Sequence, residues 1–153
     1  MTSGLVLRVA AWDDPAGAAL RAAQKAEVDA MYGGDTEPGP KPTASSVTVF
    51  FVAEVDGAPV GCGGLRQLDA EHGEIKRMYV APPARGTGVS AALLRALEQE
   101  ARDRGWRRVV LETGVEQRAA IRLYEREGYT RIPNFGYYAD SALSLCYELV
   151  LEE

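Results

Sequence analysis

Apolar residues recur at helical spacing most clearly between Val89 and Arg104, where Val89, Leu93, Leu94, Leu97 and Ala101 share one face. Gly105 follows as a C-cap, and Glu98 with Arg102, four residues on, is expected to pair on the outer face. A second, alanine-rich helix is predicted over Ala16–Tyr32, with Asp14 as N-cap, Pro15 in its first turn and Gly33-Gly34 as its stop. A third runs from about Gln117 to Glu127, with Ala120, Ile121 and Tyr124 on one face and Gly128 as its cap. Between these lie stretches of strand character: Leu5–Ala10, Ser46–Val55, Pro59–Leu68, Glu74–Val80, Trp106–Thr113, Tyr129–Ile132 and Ser144–Leu151. Asp56-Gly57 joins the second and third as a hairpin. Gly61, Gly63 and Gly64 inside the third mark a bulge or a close approach by another element. Asp35–Ser45, with Pro38, Gly39, Pro40 and Pro42, is a loop long enough to border a ligand site. The order is mixed α+β: antiparallel strands first, then β-α-β-α-β-β.

The 153 residues suit one domain, 1–153, and 46% hydrophobic with 25% charged residues describe an ordinary globular chain. A net charge of −5 argues against nucleic acid as a partner, although Lys76-Arg77 and the basic run Arg102–Arg108 leave a small acidic ligand open. Two cysteines, Cys62 and Cys146, are too few for a disulfide framework and lack metal-ligand spacing, so buried free thiols and no metal are expected. No run is apolar enough to span a membrane, and no basic-then-apolar leader opens the chain; a cytoplasmic protein is expected.

The stretch with the most chemistry runs from Glu74 to Ser90, where a strand meets Pro82-Pro83, then Arg85-Gly86-Thr87-Gly88, then a helix start. Such a loop aims several backbone N–H groups at one point and adds the positive end of a helix dipole, which suits a phosphate or pyrophosphate. Gly86 and Gly88 let the backbone approach an anion with no Cβ in the way.

Val80-Ala81-Pro82-Pro83-Ala84-Arg85-Gly86-Thr87-Gly88-Val89-Ser90 resembles the V-x-P-x-x-R-G-x-G-x-G/A stretch of the GNAT superfamily of acyl-CoA-dependent N-acyltransferases. Gln117-Arg118-Ala119-Ala120-Ile121-Arg122-Leu123-Tyr124-Glu125-Arg126-Glu127-Gly128-Tyr129 is similar to that family's N-x-x-A-x-x-x-Y-x-x-x-G-F helix and turn, in the family's order and separation. Ser90 stands where Gly or Ala is usual, and Gln117 where Asn is common. The resemblance implies a mostly antiparallel central sheet with a splayed parallel strand pair, flanked by helices. It implies an N-acetyltransferase that binds acetyl-CoA and catalyses direct attack by a primary amine, of a small molecule or amino acid, in a ternary complex. Carried over by position, it places the pyrophosphate on the backbone N–H groups of Arg85, Gly86, Thr87, Gly88, Val89 and Ser90. The pantetheine arm would lie along Met78, Tyr79 and Val80, pairing with the main chain of Met78 and Val80, and Gln117 and Tyr124 would complete the cofactor site. Homodimers occur among such enzymes, so a homodimer is open.

Acyl transfer to an amine requires a proton acceptor, oxyanion stabilisation and a proton or hydrogen bond for the leaving thiolate. Glu74, at the start of the central strand, is the candidate base; the competing role is a surface carboxylate paired with Lys76 or Arg77. Tyr124 is the candidate general acid, against a plain core tyrosine, and a main-chain N–H near Met78 would meet the oxyanion. Strand alternation puts Lys76 on the face of Glu74 and Arg77 opposite, and either could hold a substrate carboxylate. Asn134–Asp140, with Phe135, Tyr137 and Tyr138, could wall the acceptor pocket; His72 reads as turn filler. Two other functions stay open: a non-catalytic acetyl-CoA-binding sensor, and a dinucleotide-binding protein in which Gly86-x-Gly88-x-x-Ala91 and Glu112 form the fingerprint. Against the latter, five residues with two prolines separate the strand from Gly86. No Gly-Lys-Ser/Thr follows, which excludes a Walker loop.

Overall fold

A computed structural model describes residues 4–151. Seven strands form one sheet: β1 (Leu5–Val9), β2 (Val49–Val55), β3 (Ala58–Gln67), β4 (His72–Val80), β5 (Arg108–Gly114), β6 (Thr130–Ile132) and β7 (Ser144–Val150). Three helices join them: α1 (Pro15–Tyr32), α2 (Val89–Asp103) and α3 (Arg118–Arg126). The spatial order is β1-β2-β3-β4-β5-β7-β6, and every pair is antiparallel except β4 with β5. A doubly wound parallel sheet, which a dinucleotide fold requires, is therefore not what these residues build.

Helix α1 starts where the Asp14 carboxylate accepts the Gly17 N–H at 3.1 Å and stops at Gly33, in the left-handed conformation at φ 74°. It covers one sheet face, packing Leu20 against Phe50, Val52 and Cys62. Helix α2 covers the other, with Val89, Leu93, Leu94, Leu97 and Ala101 set against Val49, Phe51, Leu65 and Ile75. Because both faces of β2 are covered, its apolar run Val49–Ala53 shows no alternation.

The Asp56-Gly57 turn has positive φ at both residues, 51° and 83°, as a two-residue hairpin of the right twist demands. The strand glycines admit α2: a Cβ on Gly63 would stand 3.0 Å from Leu97 and 2.7 Å from the Met78 sulfur. Gly63 also faces a bulge, for Cys62 pairs with Tyr79 but Gly64 pairs with Lys76, so β4 carries one extra residue at Arg77–Met78.

Two expectations are corrected. Glu98 does not pair with Arg102 on the outer face; it is buried and accepts a hydrogen bond from the Tyr129 hydroxyl at 2.8 Å. Burial raises its pKa. His72 belongs to β4 rather than to a turn, since it opens the parallel ladder opposite Arg108.

Candidate active site

The ladder between β4 and β5 runs only from His72↔Arg108 to Ile75↔Leu111. Beyond it β4 continues to Val80 and β5 to Gly114 without shared pairs, so the strands part. The bulge accounts for the parting, because an extra residue bends the strand that carries it. Arg77 takes the left-handed conformation there at φ 59°, which costs a non-glycine residue roughly 1–2 kcal/mol. Its guanidinium is held by Glu37 through two hydrogen bonds of 2.6 and 2.8 Å. A cleft of about 420 Å³ opens at this point, walled by α1, the Asp35–Pro42 loop, β4, β5, α3 and Tyr138.

One rim of the parting leads to the glycine loop. A short 3-10 turn, Pro82–Ala84, brings the chain round to Gly86 (φ 75°) and Gly88 (φ 92°). Gly88 is the N-cap of α2, with no side-chain cap and no acidic residue in the first turn. A Cβ at Gly86 or Gly88 would meet no atom within 4 Å. The amino end of this 15-residue helix thus has no side-chain cap at Gly88 and is sterically approachable there, which fits a diphosphate. Arg85 is committed to the protein: its Nε–H donates to the Val80 carbonyl at 2.8 Å, and its Nη2 bonds Glu27 at 2.8 and 3.0 Å. The Met78 carbonyl accepts from the Gln24 amide at 2.9 Å. Arg77 and Met78 have no register partner on β3 or β5, and the Arg77 carbonyl accepts from the Cys62 thiol at 3.4 Å.

The cleft floor carries buried charge. Glu74, 2% exposed, accepts the Tyr138 hydroxyl at 3.1 Å and lies 3.5 Å from Arg66 and 3.7 Å from Lys76. The Lys76 ammonium donates to the Tyr138 oxygen at 2.7 Å and stands 3.5 Å from Glu37. Glu112 accepts from Ser144 at 2.7 Å, and burial raises its pKa. Tyr124, 5% exposed, lines the cleft from α3 with its ring 5.7 Å from Tyr129 and 6.3 Å from Tyr147. Burial, then the Glu112 charge, raises its pKa, so the phenol keeps its proton.

Glu37 ties the loop to this floor. Burial alone would push its pKa up, but Arg77, Lys76 and Lys41 outweigh that and hold it at about 2 against an ordinary 4.5. A depressed carboxylate stabilises the fold fully above its unfolded pKa and loses that contribution as pH falls toward the folded value. Glu37→Gln is expected to cost roughly 2–3 kcal/mol at neutral pH, a deficit that shrinks between about pH 4.5 and 2. Urea unfolding of both proteins across that range checks it; a pH-independent deficit would contradict it.

Residues 19–129 match the model of the Acetyltransferase (GNAT) family. The chain belongs to that family. It is 44% identical over 101 residues to an IAA acetyltransferase of Azospirillum brasilense, covering 65% of each chain. It is 39% identical over 87 residues to N-acetyltransferase 8 of Rattus norvegicus, covering 54% of this chain and 39% of that one. The chain thus spans less than two thirds of these relatives' own length. Among solved structures, a Klebsiella pneumoniae protein assigned as an acyl-CoA N-acyltransferase superposes with a TM-score of 0.84 at 33% identity, over 97% of this chain and 98% of that one. A GNAT acetyltransferase of Elizabethkingia anophelis, with acetyl-CoA bound, shares the fold at TM-score 0.74 and 17% identity, over 98% and 100%.

Within this GNAT fold, Glu74, Met78, Gln117 and Tyr124 border the same cleft, whereas Tyr79, Val80 and the Arg85–Ser90 turn into α2 are not among the residues that line it. Gln117 is the N-cap residue of α3, although its side chain makes no capping bond. Tyr138 reaches the floor, whereas Tyr137 is exposed and packs beside Gly39. The alternation that set Arg77 opposite Lys76 fails at the bulge: both cations reach Glu37. Nor is Glu74 a surface carboxylate, being buried among Arg66, Lys76 and Tyr138. Sequence reasoning missed Glu37, Arg21 and Gln24 as cleft residues, and saw Glu112 only in another role. The proline-rich loop was the one signal pointing toward Glu37.

Proposed function

We propose that this chain, as a single GNAT-type domain, transfers the acetyl group of acetyl-CoA to a primary amine of a small molecule or amino acid by direct attack in a ternary complex. The observation that supports the reading is the course of β4, which borders the cleft at Glu74–Met78 and then leads past Val80 into the glycine turn. The start of α2, with no side-chain cap, and its glycine turn follow β4, whose bulge lies where the strands part, and Glu74 and Tyr124 line the cleft there. Acetyl-CoA supplies the activated acyl group; its diphosphate would rest on the backbone of Arg85–Ser90 and its arm along Met78–Val80.

Glu74 takes the proton of the attacking amine. Its Tyr138 hydrogen bond and the neighbouring Lys76 fix the carboxylate in place. The bulge amides near Met78 offer fixed dipoles for the developing oxyanion, which need no reorganisation as charge forms. Tyr124, still protonated, donates to the departing sulfur. Cys62 and Cys146, both buried and unpaired, suit the reducing environment of a cytoplasmic enzyme.

Free-thiol release with acetyl-CoA and a panel of amines tests the reading; acetyl-CoA binding without turnover on any amine would favour the non-catalytic sensor. Gly88→Ala should weaken acetyl-CoA about tenfold or more, since the added methyl projects where the diphosphate must approach. Its stability should drop by only about 1 kcal/mol, as no atom of the protein obstructs that Cβ. Paired calorimetry and urea unfolding check this, and unchanged acetyl-CoA affinity would count against the assigned diphosphate site.

A further inference from the structure

Ten ionisable acids and cations line the cleft: Asp29, Asp35, Glu37, Glu74 and Glu112 against Arg21, Lys25, Lys41, Lys76 and Arg77. Eight of them are tied into ion pairs. Lys25 reaches Asp29 and Asp35, Lys41 reaches Asp35 and Glu37, Arg77 reaches Glu37, and Lys76 lies between Glu37 and Glu74. The two without an ion pair within 4 Å, among the described residues, are one cation, Arg21, and one carboxylate, Glu112.

Arg21 is also the more pre-set of the two. Its guanidinium lies 3.7 Å over the Trp12 ring, and its Nη2 donates to the Trp12 carbonyl at 2.6 Å. Stacking fixes the guanidinium plane, and the buried Nε–H has no acceptor. One turn along α1, Gln24 spends its amide N–H on the Met78 carbonyl and leaves a buried oxygen without a donor. The helix therefore presents an open donor and an open acceptor on one face, beside the bulge. A buried polar group without a partner is costly, and a ligand that supplies the partner recovers that cost on binding.

We infer that the acceptor is a zwitterionic amino acid, its carboxylate bound by Arg21 and its ammonium drawn toward Glu112. This rests on the acetyltransferase reading and narrows it. Lys76 and Arg77, the cations first suited to a substrate carboxylate, are excluded from that role by Glu37 and Glu74, which already neutralise them. Glu112 would collect the charged amine and hand it to Glu74 for deprotonation.

The experiment compares acetylation of amino acids with that of their decarboxylated amines, using the common amino acids plus β-alanine and 4-aminobutyrate to cover the spacing between the two charges. Wild-type protein should show a KM about ten- to a hundredfold lower for the carboxylate-bearing member of the best pair, the factor expected for a charge-assisted hydrogen bond. Arg21→Gln should erase that preference without changing the KM for acetyl-CoA, and Arg21→Lys should restore part of it. A wild-type enzyme that uses both members equally, or an Arg21→Gln protein that loses both alike, overturns the inference. Calorimetric titration of the best amino acid into CoA-saturated protein gives a readout independent of turnover, and Arg21→Gln should abolish its binding. If acetyl-CoA binds but no amino acid is bound or acetylated, the inference falls and the acetyltransferase reading stands. If acetyl-CoA does not bind, that reading falls, and amino-acid titration of the protein alone decides the inference.

Discussion

Tyr124→Phe is expected to lower kcat by about 10²- to 10³-fold while leaving the affinity for acetyl-CoA within about twofold. The ring is 5% exposed and packed between Tyr129 and Tyr147, so phenylalanine keeps its shape and most of its packing. What the substitution removes is one hydroxyl on the cleft wall, kept protonated by burial and by Glu112. A hydrogen bond to the departing sulfur strengthens as negative charge collects there, so its loss falls on the transition state rather than on binding. Steady-state kinetics with calorimetry in parallel separate the two. Equal losses in kcat and affinity would return Tyr124 to the role of a core tyrosine.

Glu74→Gln should lower kcat by about 10²-fold or more, because glutamine keeps the hydrogen bond from Tyr138 but cannot accept the amine proton. Glu112→Gln should act differently, raising KM for the acceptor with kcat within about tenfold. The contrast matters because both carboxylates border the cleft, one on each parted strand. Glu74 is clasped by Arg66, Lys76 and Tyr138; Glu112, among the described residues, accepts a hydrogen bond from Ser144 and has no ion-pair partner within 4 Å. If Glu112→Gln abolished turnover and Glu74→Gln did not, the base would lie on β5.

Much of the fold was legible because it rests on local signals. The apolar stripe of α2, the Asp14 and Gly33 ends of α1 and the Asp56-Gly57 turn each depend on residues within a few positions, and each stands as expected. The glycine loop was legible for the same reason: Gly86 and Gly88 take positive φ where the chain turns into α2. What escaped was set by distant partners. Glu98 turns inward because a phenol 31 residues away meets it. Arg77 departs from alternation because a bulge, fixed by pairing with β3, shifts every side chain after it. Glu37 lies in a loop with no periodicity to read, yet it neutralises both cations that alternation had put forward for the substrate. The unpaired charges of Arg21 and Glu112 emerge only once every other pairing in the cleft is known.

The most direct test of the central claim is calorimetric titration of the purified protein with acetyl-CoA, CoA and NADH side by side. The account predicts saturable binding of acetyl-CoA and CoA and none of NADH, with affinity reduced in Gly88→Ala. Absence of acetyl-CoA binding, or a preference for NADH, would contradict it, because the Arg85–Ser90 turn would then not be a coenzyme A site.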